Sequence, residues 1–281
     1  SLGHRVYASA RKPADLESLA ALPGVVPFPL DVRDPDSVRS AGSWLAGQTA
    51  GLDGLVNNAG VGGIGPLLAW TETELHDLFE VNLFGPMRMI REFLPLLLER
   101  RGRVVNIGSQ GGSISMRYYA PYTMSKHALE ALTVSMRDEL GSHGIHVSIV
   151  QPGGIVTAIG ENSHPEDLER FRRAPEPFEA ECRQIVEALL SDPEPEKDEP
   201  ESATNRKPSP PSIVTDAVLD ALFSPTPKAR YLVGTRWEGM RVVSALIERL
   251  LDANDCPSLS YSRSDLIAML DSAARERTDH P

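Results

Sequence analysis

Tyr122 and Lys126 stand four residues apart in Pro121-Tyr122-Thr123-Met124-Ser125-Lys126, and Ser109 lies thirteen residues before Tyr122 at the end of an apolar run. Four residues are about one helical turn, so the phenol and the ammonium share a face. A free phenol, with a pKa near 10, is a poor base at neutral pH. A cation beside it favours the phenolate and lowers that pKa, which makes a Tyr able to pass a proton to or from a substrate oxygen. The Ser109 hydroxyl would hold that oxygen. A half-buried helix Tyr beside a surface Lys has the same spacing, so the surrounding elements must decide.

Those elements agree. Arg103-Val104-Val105-Asn106-Ile107-Gly108 reads as a strand buried on both faces. A helix from Tyr122 to about Leu140 follows, then a strand Ile145–Val150 ended by Gln151-Pro152-Gly153-Gly154. Upstream, Leu52–Asn58 is a strand running into a small-residue turn. Val25–Val32 and Arg5–Ala10 are strands separated by a short helical pattern, Ala14 to Leu22. Later helices are expected from Ile213, from Trp237 to Leu251 and, short, from Leu266 to Ala274. Strands alternating with helices predict an α/β fold with a doubly wound parallel sheet.

In this order the motifs resemble the short-chain dehydrogenase/reductase family, in particular its retinol and hydroxysteroid dehydrogenase-like branch. Asn57-Asn58-Ala59-Gly60 is similar to the family's turn after its fourth strand. Asn82 in Val81-Asn82-Leu83-Phe84-Gly85 resembles the Asn of its catalytic tetrad, with Ser109, Tyr122 and Lys126. Pro152-Gly153, with Ile155 and Thr157, resembles the segment beside the nicotinamide, and Arg230–Gly234 the last strand. The resemblance runs from about Arg5 to Gly234. It implies a Rossmann-like NADP-binding domain over residues 1–252, followed by a tail, 253–281. Asn58, Ala59, Gly60, Tyr122, Lys126, Pro152, Gly153, Ile155 and Thr157 would contact the cofactor. Lys126 would also bind its ribose, and Asn82 would hold a water in a proton relay.

The sequence departs from the family at its start. Family members open with a strand and a glycine-rich turn that cradles the cofactor pyrophosphate, whereas this sequence opens on Ser1-Leu2-Gly3-His4-Arg5. Gly62, Gly63 and Gly65 follow the fourth family strand and read as a loop. Without the first strand, the edges at Arg5–Ala10 and Leu55–Asn58 are expected either to stay apart or to close under strain, with weak NADP(H) binding and marginal folding.

Cofactor choice turns on the end of the second family strand. A carboxylate there would select NAD, but the sequence has Ala8-Ser9-Ala10-Arg11-Lys12. Arg11 offers a charged fork for a phosphate, favouring NADP(H) over NAD(H), or it is a surface charge at a helix entry. Asp31 and Val32 resemble the pair beside the adenine, although Asp31 could equally be a turn residue.

Composition fits one large domain: 281 residues, 41% hydrophobic, net charge −11. That charge argues against nucleic acid as partner. Two cysteines are too few for a disulfide framework and suit a cytoplasmic protein, and neither they nor the histidines show metal-ligand spacing. No apolar run is long enough for a membrane span. Residues 191–212 are rich in Pro, Ser and acids and read as a disordered insert or, more sharply, as a docking site for a basic partner.

The resulting expectation is an NADP(H)-dependent dehydrogenase or reductase acting on a small-molecule secondary alcohol or carbonyl, apolar in character, and working as a homo-oligomer. Gln110, Met116, Tyr118, Tyr119 and a mobile stretch from Ile159 to Phe178 would complete the pocket. Two alternatives stay open: a truncated or non-catalytic relative that cannot hold its cofactor, and a module that senses a dinucleotide.

Overall fold

The computed structural model describes residues 3–191, 207–258 and 260–279. Strand β1 (Val6–Ala10) pairs in parallel with β2 (Val25–Pro29), from Val6 opposite Val25 to Ala10 opposite Pro29. Strands β3 (Gly54–Asn57), β4 (Arg103–Ile107), β5 (His146–Pro152) and β6 (Arg230–Val233) form a second parallel sheet in that order. The doubly wound α/β architecture is therefore present, in two hydrogen-bonded parts. The edges of β1 and β3 remain apart, and they reach solvent: Val6 is 47% and Val56 37% exposed. Water can satisfy backbone groups there, which removes the penalty that burial would impose.

Helices hold the two parts together. Helix α1 (Pro13–Ala20) connects β1 to β2, and α2 (Pro35–Ala46) is started by Asp34, whose side chain accepts from Asp36 N–H. Helix α4 (Gly85–Arg100) lies beside α2. Phe28, Leu30, Val38, Leu45, Met89 and Phe93 form one core between them, against which Tyr7 of β1 and Leu55 of β3 both pack. One apolar core thus spans both sheets. Behind the larger sheet, α5 (Ala120–Gly141) and α4 bury Val104, Ile145 and Val147. Helix α8 (Ser212–Phe223) covers the opposite face through Ala217 and Ala221. Phe223 at its end stacks on His4, with ring centroids 4.3 Å apart, so the chain before β1 also touches the larger sheet's helix layer.

Between α3 (Glu72–Phe79) and α4 the chain widens into one π turn, Glu80–Phe84, which carries Asn82. After β5 come α6 (Ile159–Arg172) and α7 (Glu179–Leu190), so the stretch expected to be mobile is largely helical. Most of the acidic stretch, 192–206, lies outside the described residues. Just beyond it, Ser209 pairs with the turn after β5, donating to Gly154 O at 2.7 Å and accepting from Val156 N–H at 3.0 Å. Helix α9 (Arg236–Asn254) follows β6, and α10 (Arg263–Asp279) is longer than the short helix expected there. Among the described residues no helix is long and apolar enough to cross a membrane.

Candidate active site

The C-terminal ends of β3, β4 and β5 converge on one cleft, as open parallel sheets place their sites. The strand β4 delivers Ser109 just past its end. There the Ser109 hydroxyl accepts from Gly111 N–H at 3.0 Å and turns the chain. Helix α5 begins at Ala120 with Pro121 in its first turn, where a missing N–H costs nothing. It presents Tyr122 and Lys126 on the same side. Lys126 Nζ lies 5.8 Å from the Tyr122 ring centroid and donates to Ile107 O at 3.0 Å.

Burial decides the protonation of both. It lowers the Lys126 pKa to about 8. It raises that of Tyr122, with a hydrogen bond to Ser109 opposing the rise. The expected lowering of the phenol is therefore corrected: burial, reinforced by Tyr119, raises its pKa against the Ser109 hydrogen bond, and the Lys126 ammonium is engaged on a backbone carbonyl. Tyr122 is a protonated phenol at neutral pH.

Asn82 does not face the cleft. It is fully buried, accepting from Val61 N–H at 2.9 Å and donating to Val61 O and Ser125 Oγ, each at 3.0 Å. Ser125 Oγ in turn donates to Tyr122 O at 2.7 Å. Asn82 thus ties the loop after β3 to the first turn of α5. The buried amides of Asn57 and Asn106 extend this polar layer: Asn57 Nδ2 donates to Asn106 Oδ1 at 2.8 Å, and Asn106 Nδ2 to Thr133 Oγ1 at 2.9 Å.

Two cavities meet at Ser109 and Tyr122. The larger, about 1020 Å³, runs from Arg11, Lys12 and Arg33 past Asn58 and Gly60 to Lys126, Pro152, Gly153, Ile155 and Thr157. A nicotinamide dinucleotide fits the chemistry of this wall, which has three cations at one end and glycine backbone along it. The predicted cofactor residues Asp31, Val32 and Ala59 stand beside the cleft, not on its wall. Asp31 is paired with Arg33 at 2.7 Å, a contact that holds its carboxyl below the usual range. Val32 packs on Gly85, where a Cβ would come within 2.9 Å of it. The second cavity, about 520 Å³, is lined by Ile64, Gln110, Ile114, Met116, Tyr119 and Ile159 among others.

Residues 1–168 match the family model described as short chain dehydrogenase. The chain belongs to that family. Human retinol dehydrogenase 5 is 40% identical over 177 residues, covering 61% of this chain and 54% of that protein. The short-chain dehydrogenase PC-15 of Penicillium crustosum is 39% identical over 58% of this chain and 60% of its own length. The chain thus spans little more than half the length of these curated relatives. Among solved structures, a short-chain dehydrogenase from Streptomyces avermitilis aligns over 99% of this chain and 90% of its own, at 27% identity and a TM-score of 0.66. A Burkholderia cenocepacia short-chain dehydrogenase in complex with NADP aligns over 89% and 85%, at 25% identity and a TM-score of 0.62.

In this short-chain dehydrogenase one predicted pocket residue lies elsewhere. Tyr118 packs edge-on against Phe171, with centroids 5.3 Å apart, beside Cys182 and Ile64. Burial there pushes its pKa up to about 12. Tyr118 thus packs on the cluster that anchors α6 and α7 and lines neither cavity.

Other residues of the site gave little sign in the sequence. Glu238 caps α9 through Thr235 N–H at 3.0 Å, and its other oxygen accepts from Gly154 N–H at 2.7 Å. A Cβ on Gly153 would lie 2.3 Å from Glu238 Oε2, so the turn after β5 and the start of α9 interlock. The Thr235-x-x-Glu238 capping box was the available signal. The loop over the second cavity is fixed by a buried ionic cluster. Asp167 accepts from Ile64 N–H at 2.9 Å and from Arg170 at 2.7 Å, and Arg170 also pairs with Glu74 at 3.0 Å. Burial pushes Asp167 up, against the pull of Ile64 N–H and Arg170. Arg173 completes the cluster on Glu74, and Arg170 lies 3.7 Å over the Trp70 ring. Gly63 and Gly65 permit this: a Cβ would meet Trp70 at 2.6 Å or Arg170 at 2.8 Å.

Proposed function

We propose that this chain is an NADP(H)-dependent oxidoreductase that interconverts a secondary alcohol and its ketone, or a related carbonyl, on an apolar small molecule. The meeting of the two cavities at Ser109 and Tyr122 carries this reading, because a carbonyl lying there is within reach of both hydroxyls.

Bound nicotinamide would supply the hydride in reduction and accept it in oxidation. In reduction the Tyr122 phenol gives its proton to the carbonyl oxygen, and in oxidation the phenolate takes it back. Ser109 holds that oxygen by hydrogen bonding, which favours the charge developing on it. Lys126 places a cation behind the phenol, and Asn82 keeps Val61 and α5 in register. Arg11 and Lys12 suit a 2′-phosphate, and Arg33 beside them is paired with Asp31. The Burkholderia relative with bound NADP supports the same choice. The Ile, Met and Tyr walls of the second cavity, together with the likeness to a retinol dehydrogenase, support a retinoid- or steroid-like substrate. A count of two cysteines, too few for a disulfide framework, suits a cytoplasmic setting.

The test is oxidation of a panel of hydroxysteroids, retinol and small secondary alcohols with NADP⁺, followed by absorbance of the reduced cofactor. Tyr122→Phe should retain cofactor binding and lose turnover by roughly 10²–10⁴-fold. Near-normal turnover in that variant would overturn the mechanism.

A further inference from the structure

We propose that Tyr119 touches the substrate beside the reacting oxygen and selects apolar molecules with a second oxygen on the adjacent carbon, an α-hydroxy ketone or its diol. This rests on the oxidoreductase activity proposed for the same site. Ser109 and Tyr122 line both cavities, whereas Tyr119 lines the second alone. It therefore stands on the substrate side of the proton donor, away from the wall that suits the dinucleotide.

The backbone around Tyr119 is fixed on both sides. Tyr118 before it takes a left-handed φ of 67°, uncommon for a bulky residue, and turns its ring onto Phe171. Tyr119 then caps α5, its N–H donating to Met116 O at 3.1 Å and its carbonyl accepting from Thr123 N–H at 2.9 Å. Tyr122 follows three residues on, about one helical turn. Tyr119 is close enough to it that its charge raises the Tyr122 pKa.

Other polar side chains of this wall are already engaged. Gln110 Nε2 donates to Val233 O at 3.1 Å, Thr123 Oγ1 to Ala120 O at 3.0 Å and Ser163 Oγ to Ile159 O at 2.7 Å. Tyr119 is half-buried, and among the described residues its hydroxyl has no hydrogen-bond partner. A hydroxyl partly withdrawn from water gains when a ligand oxygen completes it, and a few such groups in an apolar pocket fix a ligand's orientation. The reacting oxygen takes the hydroxyls of Ser109 and Tyr122. An oxygen on the adjacent carbon meets that of Tyr119, in the same cavity and one turn away.

Benzoin and deoxybenzoin test the proposal, being aromatic ketones that differ only by a hydroxyl on the adjacent carbon. Isothermal titration of the full chain should show benzoin bound roughly tenfold more tightly, and Tyr119→Phe should remove most of that preference. With NADPH, kcat/KM should show the same preference and the same loss. Equal affinity for the two ketones in the parent, binding of neither, or a preference that survives in Tyr119→Phe overturns the proposal. A binding preference that Tyr119→Phe abolishes, without turnover of either ketone, supports the contact and counts against the oxidoreductase activity instead.

Discussion

The Asn82 amide donates to the Ser125 hydroxyl at 3.0 Å, and that hydroxyl donates to the Tyr122 carbonyl at 2.7 Å. One hydroxyl oxygen therefore hydrogen-bonds to both the π turn and the first turn of α5. Ser125→Ala removes it and leaves a buried amide N–H with one partner fewer. We expect a loss of about 1–3 kcal/mol in chemical denaturation and a fall in kcat larger than any rise in KM. A variant with parental kcat would show that Tyr122 needs no such brace.

The depressed pKa of Lys126 has a consequence for stability, with a definite sign. Folding lowers it from 10.5 to about 8, so between those values the unfolded chain binds more protons and stability rises with pH. At pH 7 the buried ammonium opposes folding by up to about 3 kcal/mol, partly offset by its bond to Ile107 O. Lys126→Met should therefore raise the melting temperature of the cofactor-free chain at pH 7, with the gain shrinking by pH 10. Thermal melts at the two pH values check this, and a gain independent of pH would contradict it.

Gly153 and Glu238 form a lock that a methyl group should break. Gly153→Ala places a Cβ 2.3 Å from Glu238 Oε2, in a carboxylate fixed by one backbone N–H on each oxygen, Thr235 N–H on Oε2 and Gly154 N–H on Oε1. We expect at least a tenfold loss of NADPH affinity, measured by fluorescence titration. Glu238→Ala in the same chain should return part of that loss, because the obstructing oxygen is gone. Additive losses in the double variant would rule out the steric explanation.

Arg11→Asp should shift cofactor preference from NADP(H) toward NAD(H), since it removes a phosphate partner and adds a repelling charge. The comparison is kcat/KM with each cofactor in parent and variant. Parental preference for NADH would count against the reading of the cationic end of the cleft.

What could be read in the sequence was what is local. The β-branched runs at Val104–Val105 and Val147–Val150 form strands because both faces are covered, and Tyr122 and Lys126 share a helix face because helical geometry puts them there. Ser109 follows from its place at a strand end. The reach of Glu238 to Gly154 crosses 84 residues of sequence, and no periodicity encodes it. The cluster of Glu74, Asp167 and Arg170 is likewise assembled by the fold. The phenol's raised pKa was misread for a related reason: spacing gives the distance to a cation, whereas desolvation depends on everything packed around the ring.

The core shared by Phe28, Val38, Met89 and Phe93 fixes how the molecule divides under stress. The unit β1–α1–β2 is internally hydrogen-bonded, yet it joins the larger sheet through side-chain packing and without a backbone ladder. Side-chain packing can be lost over a whole surface at once while each sheet keeps its own hydrogen bonds. We expect the backbone N–H groups of Val6–Ala10, Val25, Val26 and Phe28 to form a separate cooperative unit, exchanging with solvent more readily than those of the β4–β5 ladder. Arg11 and Lys12 ride on that unit, whereas Tyr122 and Lys126 do not, so the cationic end of the cleft can loosen while the proton-transfer residues stay in place.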